Sequence, residues 1–297
     1  MLTHARARAR AHARKTLGRV LRAPSAARRA EAERLQHQLG DLSRQLTELR
    51  DAGQRADERL HEALRAWERR QRRDLLTVGD LEAVRSSAAF FRQEMDLATV
   101  HFAKADTLAA ALAAAPETGL FLEFGVWSGE TLRQITAHAP AGTVFGFDSF
   151  EGLPEHWRSG FTAGTFAVQE LPDVPGAELV VGWFDATLPG FLAAHPGPVA
   201  FLHVDADLYS STVTVLDALA DRLRPGTVVL FDEYFNFPGW EEHEHRAWVE
   251  FVGRTGLTFE YLGLTADDEQ VAVRITDTGR AGLGGGSAEQ LGDARQA

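Results

Sequence analysis

Leu35, Leu39, Leu42, Leu46 and Leu49 recur at spacings of 4, 3, 4 and 3, which puts them on one narrow stripe of a helix. The stripe runs on less regularly through Ala56, Leu60, Leu64 and Trp67, and charged and glutamine residues fill the positions between. This pattern predicts a helix over residues 31–75 that associates with a second copy as a coiled coil, giving a homo-oligomer. A single amphipathic helix packed on its own chain is the competing reading. Gly40 and Gly53 each weaken such a helix by about 1 kcal/mol relative to alanine.

Beyond residue 75 the period changes. Residues 76–118 read as helices, with Phe90, Phe91, Met95, Leu97, Val100 and Phe102 as apolar faces and Pro116 as a stop. Short apolar runs then appear at 120–124, 143–147, 178–181, 199–204 and 227–231, with helical stretches between them. One such stretch, 210–223, carries Val213, Leu216, Leu219 and Leu223 along one side. Two further strands are expected at 258–262 and 270–275. Alternating strands and helices predict an α/β fold, a doubly wound parallel sheet with helices on both faces. The expected organisation is a basic arm over 1–30, the coiled-coil helix over 31–75, the α/β domain over 76–278 and a Gly-rich, disordered tail over 279–297.

Composition narrows the chemistry. The 297 residues contain no cysteine, which excludes disulfides, thiolate metal sites and cysteine nucleophiles. The net charge is −11, yet residues 1–30 hold nine Arg and Lys and no acid, which leaves −20 on the rest. So acidic a body argues against a nucleic-acid partner, because phosphate binding needs a basic face. The arm has the charge to touch an anionic membrane surface, although its few apolar residues favour a solvated tail. No apolar run approaches the length of a transmembrane helix, and no secretory leader is apparent; a cytoplasmic location is expected.

The candidate chemistry lies at strand ends. The first strand of the α/β domain runs into Glu123, Gly125, Ser128 and Gly129, ahead of a helix. Glycines in such a turn let a ligand approach the backbone and the free N–H groups of the helix start. The next strand ends at Asp148 and Ser149, where a doubly wound fold holds ribose hydroxyls. A carboxylate-lined nucleoside pocket suits a sulfonium cation better than a pyrophosphate. Two later strands run into Asp205 and into Asp232 and Glu233. At one sheet edge these three acids repel one another unless a cation sits between them, and an all-oxygen set points to Mg²⁺. Asp207 is expected to cap the following helix. His243 and His245, two residues apart on a helix, face apart and make a poor chelate; they are expected at the surface or at a substrate rim.

Together these segments resemble the macrocin O-methyltransferase family of class I S-adenosylmethionine-dependent methyltransferases. The resemblance rests on EFGVWSGETL (123–132), GFDSFEGLP (146–154), GWFDATLP (182–189), HVDADLYSST (203–212) and FDEYFNFPGW (231–240), and it spans residues 85–275. It implies a seven-stranded sheet with an antiparallel last strand and Mg²⁺-assisted methylation of a hydroxyl on a sugar or glycosylated acceptor. By the same resemblance the turn from Glu123 to Gly129 holds the methionine part of S-adenosylmethionine, Asp148 the ribose, and the region of Asp185 lies near the adenine. Asp205 matches a metal ligand and general base, and Asp232 and Glu233 match a metal-binding acid pair. Glu233 replaces the family's second aspartate, and Ala186 stands where a second acid is common.

Other functions remain open at this point. Asp205-Ala206-Asp207 is an Asp-x-Asp tripeptide, such as a metal-dependent glycosyltransferase uses. A nicotinamide oxidoreductase would want a Gly-x-Gly-x-x-Gly that is missing. A coiled-coil scaffold with a catalytically silent domain is a third reading.

Overall fold

The computed structural model describes residues 26–279, so the basic arm up to residue 25 and the tail beyond 279 lie outside the described residues. The chain divides into two compact units, with the boundary between residues 74 and 75.

The first unit is helix α1, Ala26–Arg73. None of its 48 residues is buried. The heptad leucines stand open, from 54% exposed at Leu35 to 69% at Leu49. Its ion pairs, such as Arg72–Glu68 at 3.0 Å, are on the surface and add little.

The second unit runs α2 (Leu75–Glu94), β1 (Thr99–His101), α3 (Lys104–Ala114), β2 (Leu120–Phe124), α4 (Glu130–His138), β3 (Val144–Asp148), β4 (Ala177–Val181) and α5 (Phe184–Ala194). It continues with β5 (Val199–Val204), α6 (Tyr209–Leu219), β6 (Val228–Phe231), a 3₁₀ turn at Trp240–Glu242, α7 (Glu244–Thr255), β7 (Thr258–Thr265) and β8 (Val271–Asp277). The strands form one sheet in the order β1-β7-β8-β6-β5-β2-β3-β4, in which only β8 runs antiparallel to its neighbours. Leaving β1 aside, this is the strand order of a class I methyltransferase, so the expected doubly wound α/β fold is present. The sheet has eight strands where seven were expected. The extra one is β1, which pairs with the edge of β7 from within a stretch read as helical. Three residues are too few to show a period of two, and they are extended only because β7 offers unpaired backbone groups.

Alternation along the strands sorts the core into two layers. Leu122, Phe124, Leu202, Val204, Val229 and Phe231 face α2, α5, α6 and α7, where Leu216 and Trp248 are buried. Phe121, Phe201, Val228 and Leu230 face α3 and α4 and meet Leu112, Leu132 and Ile135. Among the described residues no helix is long and apolar enough to cross a membrane.

Candidate functional site

The parallel strands end in a row. Gly182 N donates to Asp148 O at 3.0 Å, Gly125 N to Phe147 O at 2.9 Å, Asp205 N to Phe124 O at 2.9 Å and Asp232 N to Val204 O at 2.9 Å. Sheet pairing therefore carries one step past each strand, and the residues that follow β2, β3, β5 and β6 share one carboxyl edge. Over this edge lies a cavity of about 710 Å³, within the usual range for small-molecule sites.

One end of the cavity is lined by Gly125, Asp148, Ser149, Trp183, Phe184 and Asp185. Gly125 sits at φ +95°, and a Cβ there would lie 1.8 Å from Asp205 O, so no other residue lets β2 and β5 close their ends together. Gly129, at φ +74°, starts α4 as its N-terminal cap, tight against Val174. Asp148 holds this turn from below: Oδ2 accepts from Val126 N at 2.9 Å and Trp127 N at 2.8 Å, and Oδ1 from Phe150 N at 2.7 Å. Ser149 Oγ accepts from Glu151 N at 3.1 Å. Ser128 and Gly129 shape the turn without lining the cavity.

Glu123 does not reach the cavity either. Strand register sets it opposite His203 on the face toward α3, and its Oε1 lies 3.0 Å from His203 Nδ1. On the other side, His203 Nε2 is 3.6 Å from Asp232 Oδ1, an ion-pair distance rather than a hydrogen bond. Burial opposes charge on this imidazole, but the attraction of Asp232 and Glu123 prevails and raises its pKa to about 10, which favours the protonated ring between two carboxyls. Asp232 also accepts from Lys104 Nζ at 3.0 Å and from Gln270 Nε2. Burial works against its ionisation, yet the bonds to His203 and the Lys104 charge hold it below the usual carboxylate range.

A second group of acids lacks such compensation. One carboxylate oxygen each of Asp205, Asp207 and Glu233 come within 4.8 Å of one another, and Asp205 also meets His203 and Asp232 within that distance. Burial, followed by repulsion from Asp232, lifts Asp205 and Glu233 well above the ordinary range. Asp207 is raised to about 7, first by burial, against the pull of Arg158. Glu233 Oε2 is buried with no protein partner. Crowded carboxyls with an unmatched oxygen fit a hard divalent cation, with Asp205, Asp207 and Glu233 as the donors. The expected trio of Asp205, Asp232 and Glu233 does come to this edge, but Asp232 is already partnered by Lys104 and Gln270. Asp207 does not cap α6: Leu208 occupies that place, with no side-chain cap, and Asp207 turns into the cluster at φ +59°.

Several residues of the site escape sequence reasoning. Glu244, fully buried at the start of α7, accepts from Glu233 N at 3.1 Å and Ala206 N at 3.4 Å, tying both acid-bearing loops together. Lys104, one of two lysines in the chain, had composition as a signal; His203 and Gln270 had none beyond lying in or beside strands. His243 and His245 are half-buried, His243 beside the cavity-lining Trp157 at a ring distance of 6.4 Å. His245 wedges between Phe90, Tyr234 and Trp240 at ring distances of 5.0, 5.1 and 4.7 Å, and burial lowers its pKa.

Comparison with known proteins agrees with this geometry. A family described as a methyltransferase domain matches residues 122–234. A protein of Streptomyces olivaceus, 8-demethyl-8-(2,3-dimethoxy-alpha-L-rhamnosyl)-tetracenomycin-C 4'-O-methyltransferase, is 34% identical over 142 residues, 39% of this chain. The chain spans about half of that relative's length, 53%. Among solved structures, the calicheamicin methyltransferase CalS11 is 28% identical over 57% of this chain and 76% of its own, with a TM-score of 0.46. The O-methyltransferase NovP is 25% identical over 58% and 77%, with a TM-score of 0.44. The family match and the Streptomyces olivaceus relative are consistent with the resemblance to macrocin O-methyltransferases read from the motifs.

Proposed function

We propose that this chain is an S-adenosylmethionine-dependent O-methyltransferase of the class I fold that acts, with Mg²⁺, on a sugar hydroxyl of a glycosylated small molecule. One observation carries this reading: the glycine turn with Asp148 and the acid cluster of Asp205, Asp207 and Glu233 open into the same cavity. The sugar acceptor is supported by the tetracenomycin relative, whose name gives a rhamnosyl substrate.

S-adenosylmethionine supplies a methyl group on a positively charged sulfur, already a good electrophile. The turn around Gly125, Ser128 and Gly129 would border its methionine part, Asp148 and Ser149 its ribose, and Asp185 with Trp183 and Phe184 its adenine. Mg²⁺ held by Asp205, Asp207 and Glu233, beside Asp232, would lower the pKa of an acceptor hydroxyl. A carboxylate oxygen of Asp205 would accept the hydroxyl proton as the methyl passes from sulfur to oxygen, leaving S-adenosylhomocysteine. His203 and Lys104 would keep Asp232 ionised and fixed.

Open leucines along one stripe support a second proposal, that α1 pairs with α1 of another copy. The charge of −20 beyond residue 30 supports a reading without a nucleic-acid partner. The catalytic reading is tested with Asp205→Asn: methyl transfer to glycosylated acceptors should disappear while S-adenosylhomocysteine still binds. An active Asp205→Asn enzyme contradicts the role given to this carboxylate.

A further inference from the structure

We propose that the turn between β7 and β8 positions two separate parts of the cavity: Gln270 fixes the Asp232 carboxylate beside the acid cluster, and Glu269 fixes Arg158 together with the rings around it. The part given to Gln270 rests on the metal reading above. Neither side chain lines the cavity, so each acts through a residue that does.

The backbone of the turn is held from two directions. Thr265 N donates to Gln270 O at 3.0 Å and closes the hairpin. Tyr234 N donates to Glu269 O at 2.9 Å, and Asn236 Nδ2 to Asp268 O at 3.0 Å. These bonds tie the turn to the chain that follows Glu233, and none of them uses the side chain of Glu269 or Gln270. The two residues are adjacent on the approach to β8, where successive side chains point opposite ways. One turn thereby reaches two places.

Gln270 is buried, and a directed chain of hydrogen bonds orients its amide. Thr265 Oγ1 donates to Gln270 Oε1 at 3.3 Å. With its one proton spent there, Thr265 Oγ1 accepts from Thr107 Oγ1 at 2.6 Å. The amide nitrogen is left facing Asp232, and Nε2 donates to Oδ1. Lys104 Nζ holds the other oxygen, Oδ2, at 3.0 Å. Asp232 is therefore fixed at both oxygens, by a neutral donor on one and a cation on the other. Partners of this kind keep the groups around a metal in one geometry, and removing one typically lowers metal affinity about 10–100-fold.

Glu269 reaches the other way. Both of its carboxylate oxygens accept from Arg158 Nη1 at 3.0 Å. The guanidinium then lies 3.9 Å from the centre of the Trp157 ring, 4.6 Å from that of Phe237 and 5.3 Å from that of Phe161. Trp157 and Phe161 meet at 5.1 Å, and both line the cavity. They belong to the segment between β3 and β4, which forms neither helix nor strand. Its internal bonds include Trp157 N to Phe161 O at 3.1 Å and Gly164 N to Leu153 O at 2.9 Å. Without a helix or a sheet ladder, such a segment keeps its shape by anchors outside itself. Arg158 and Glu269 also border a second cavity of about 470 Å³, so the pair is not closed in by packed core on every side. An isosteric change at Glu269 then releases the anchor and leaves packing intact.

The test compares Gln270→Leu with Glu269→Gln in the full chain. Electron paramagnetic resonance reads the affinity for Mn²⁺ and the spectrum of the bound ion, and hydrogen exchange reads the protection of residues 153–168. Gln270→Leu should weaken Mn²⁺ about tenfold and change the spectrum of the bound ion, with exchange in the segment unaltered. Glu269→Gln should speed exchange in the segment at least about threefold, with Mn²⁺ affinity unaltered. Should Gln270→Leu fail to fold, Thr265→Val frees the amide to turn without a change of volume and should weaken Mn²⁺ in the same direction. A turn that serves stability alone would move both readouts together. Either variant moving the other's readout, or leaving its own unchanged, overturns the inference. Failure of the unaltered chain to bind Mn²⁺ is a separate result, which overturns the metal reading and this inference with it.

Discussion

Asp205 and Asp232 are both aspartates one residue past a buried strand, yet they sit in opposite electrostatic states. Asp232 has Lys104, His203 and Gln270 around it and stays ionised. Asp205, with Asp207 and Glu233, faces other acids and is pushed upward by burial and repulsion. An acid whose folded pKa is raised stabilises the fold only while it is protonated. For Asp207 that contribution is present below the usual carboxylate range and disappears as pH rises through about 7. His203 acts in a later window: its pairing stabilises the fold fully below pH 6.5 and is lost as pH rises through about 10. The melting temperature of the metal-free protein should therefore fall between about pH 5.5 and about pH 8.5, and the gain from Mg²⁺ should grow over the same span. Scanning fluorimetry with and without Mg²⁺ reads this directly; a Mg²⁺ shift largest at low pH would contradict the assignment. Gly125 makes a second prediction. Gly125→Ala brings a Cβ against Asp205 O in left-handed backbone, and should lower the melting temperature and abolish S-adenosylhomocysteine binding together.

At the scale of elements, the sheet was readable because its strands are buried on both faces and appear as bare apolar runs. The expected run at 199–204 is β5 without a shift, 143–147 is displaced from β3 by one residue, and 227–231 differs from β6 by one residue at its start. β1 was hidden because its extended state comes from pairing with β7, a contact between distant parts of the chain. Glu244 was hidden for a related reason: nothing local distinguishes it from Glu241 or Glu242, and its role arises only when α7 packs its first turn under two loops. Glu244→Gln replaces one acceptor by a donor facing a backbone N–H, at a cost of about 1–3 kcal/mol. The loops carrying Asp205 and Glu233 should then lose their mutual spacing. Mn²⁺ affinity, followed by paramagnetic relaxation, should drop while S-adenosylhomocysteine affinity holds. Unchanged Mn²⁺ binding would leave Glu244 as a packing residue only.

At the scale of the whole molecule, the sequence shows two kinds of pattern and the fold gives each its own unit. The α/β unit carries every residue of the cavity. Helix α1 carries none and has no buried residue, which supports the proposal that its leucine seam pairs with that of another copy. Leu42→Glu together with Leu46→Glu should lower the sedimentation-derived mass to that of one chain, with methyl transfer retained. An assembly that survives both charges would place the contact elsewhere. The glycine turn and the acids at strand ends were readable as motifs, since each lies within a few residues of an apolar strand. The aromatic part of the cavity lining was not readable, because Trp157, Phe161 and Phe166 lie in an irregular segment whose rings meet only after folding. The central claim joins both ends of one cavity, and calorimetry with S-adenosylhomocysteine tests it most directly. The account predicts saturable binding by the unaltered chain, lost in Gly125→Ala and kept in Asp205→Asn. Absence of binding, together with Mg²⁺-dependent binding of a nucleoside-diphosphate sugar, would contradict it and assign Asp205-Ala206-Asp207 to glycosyl transfer instead.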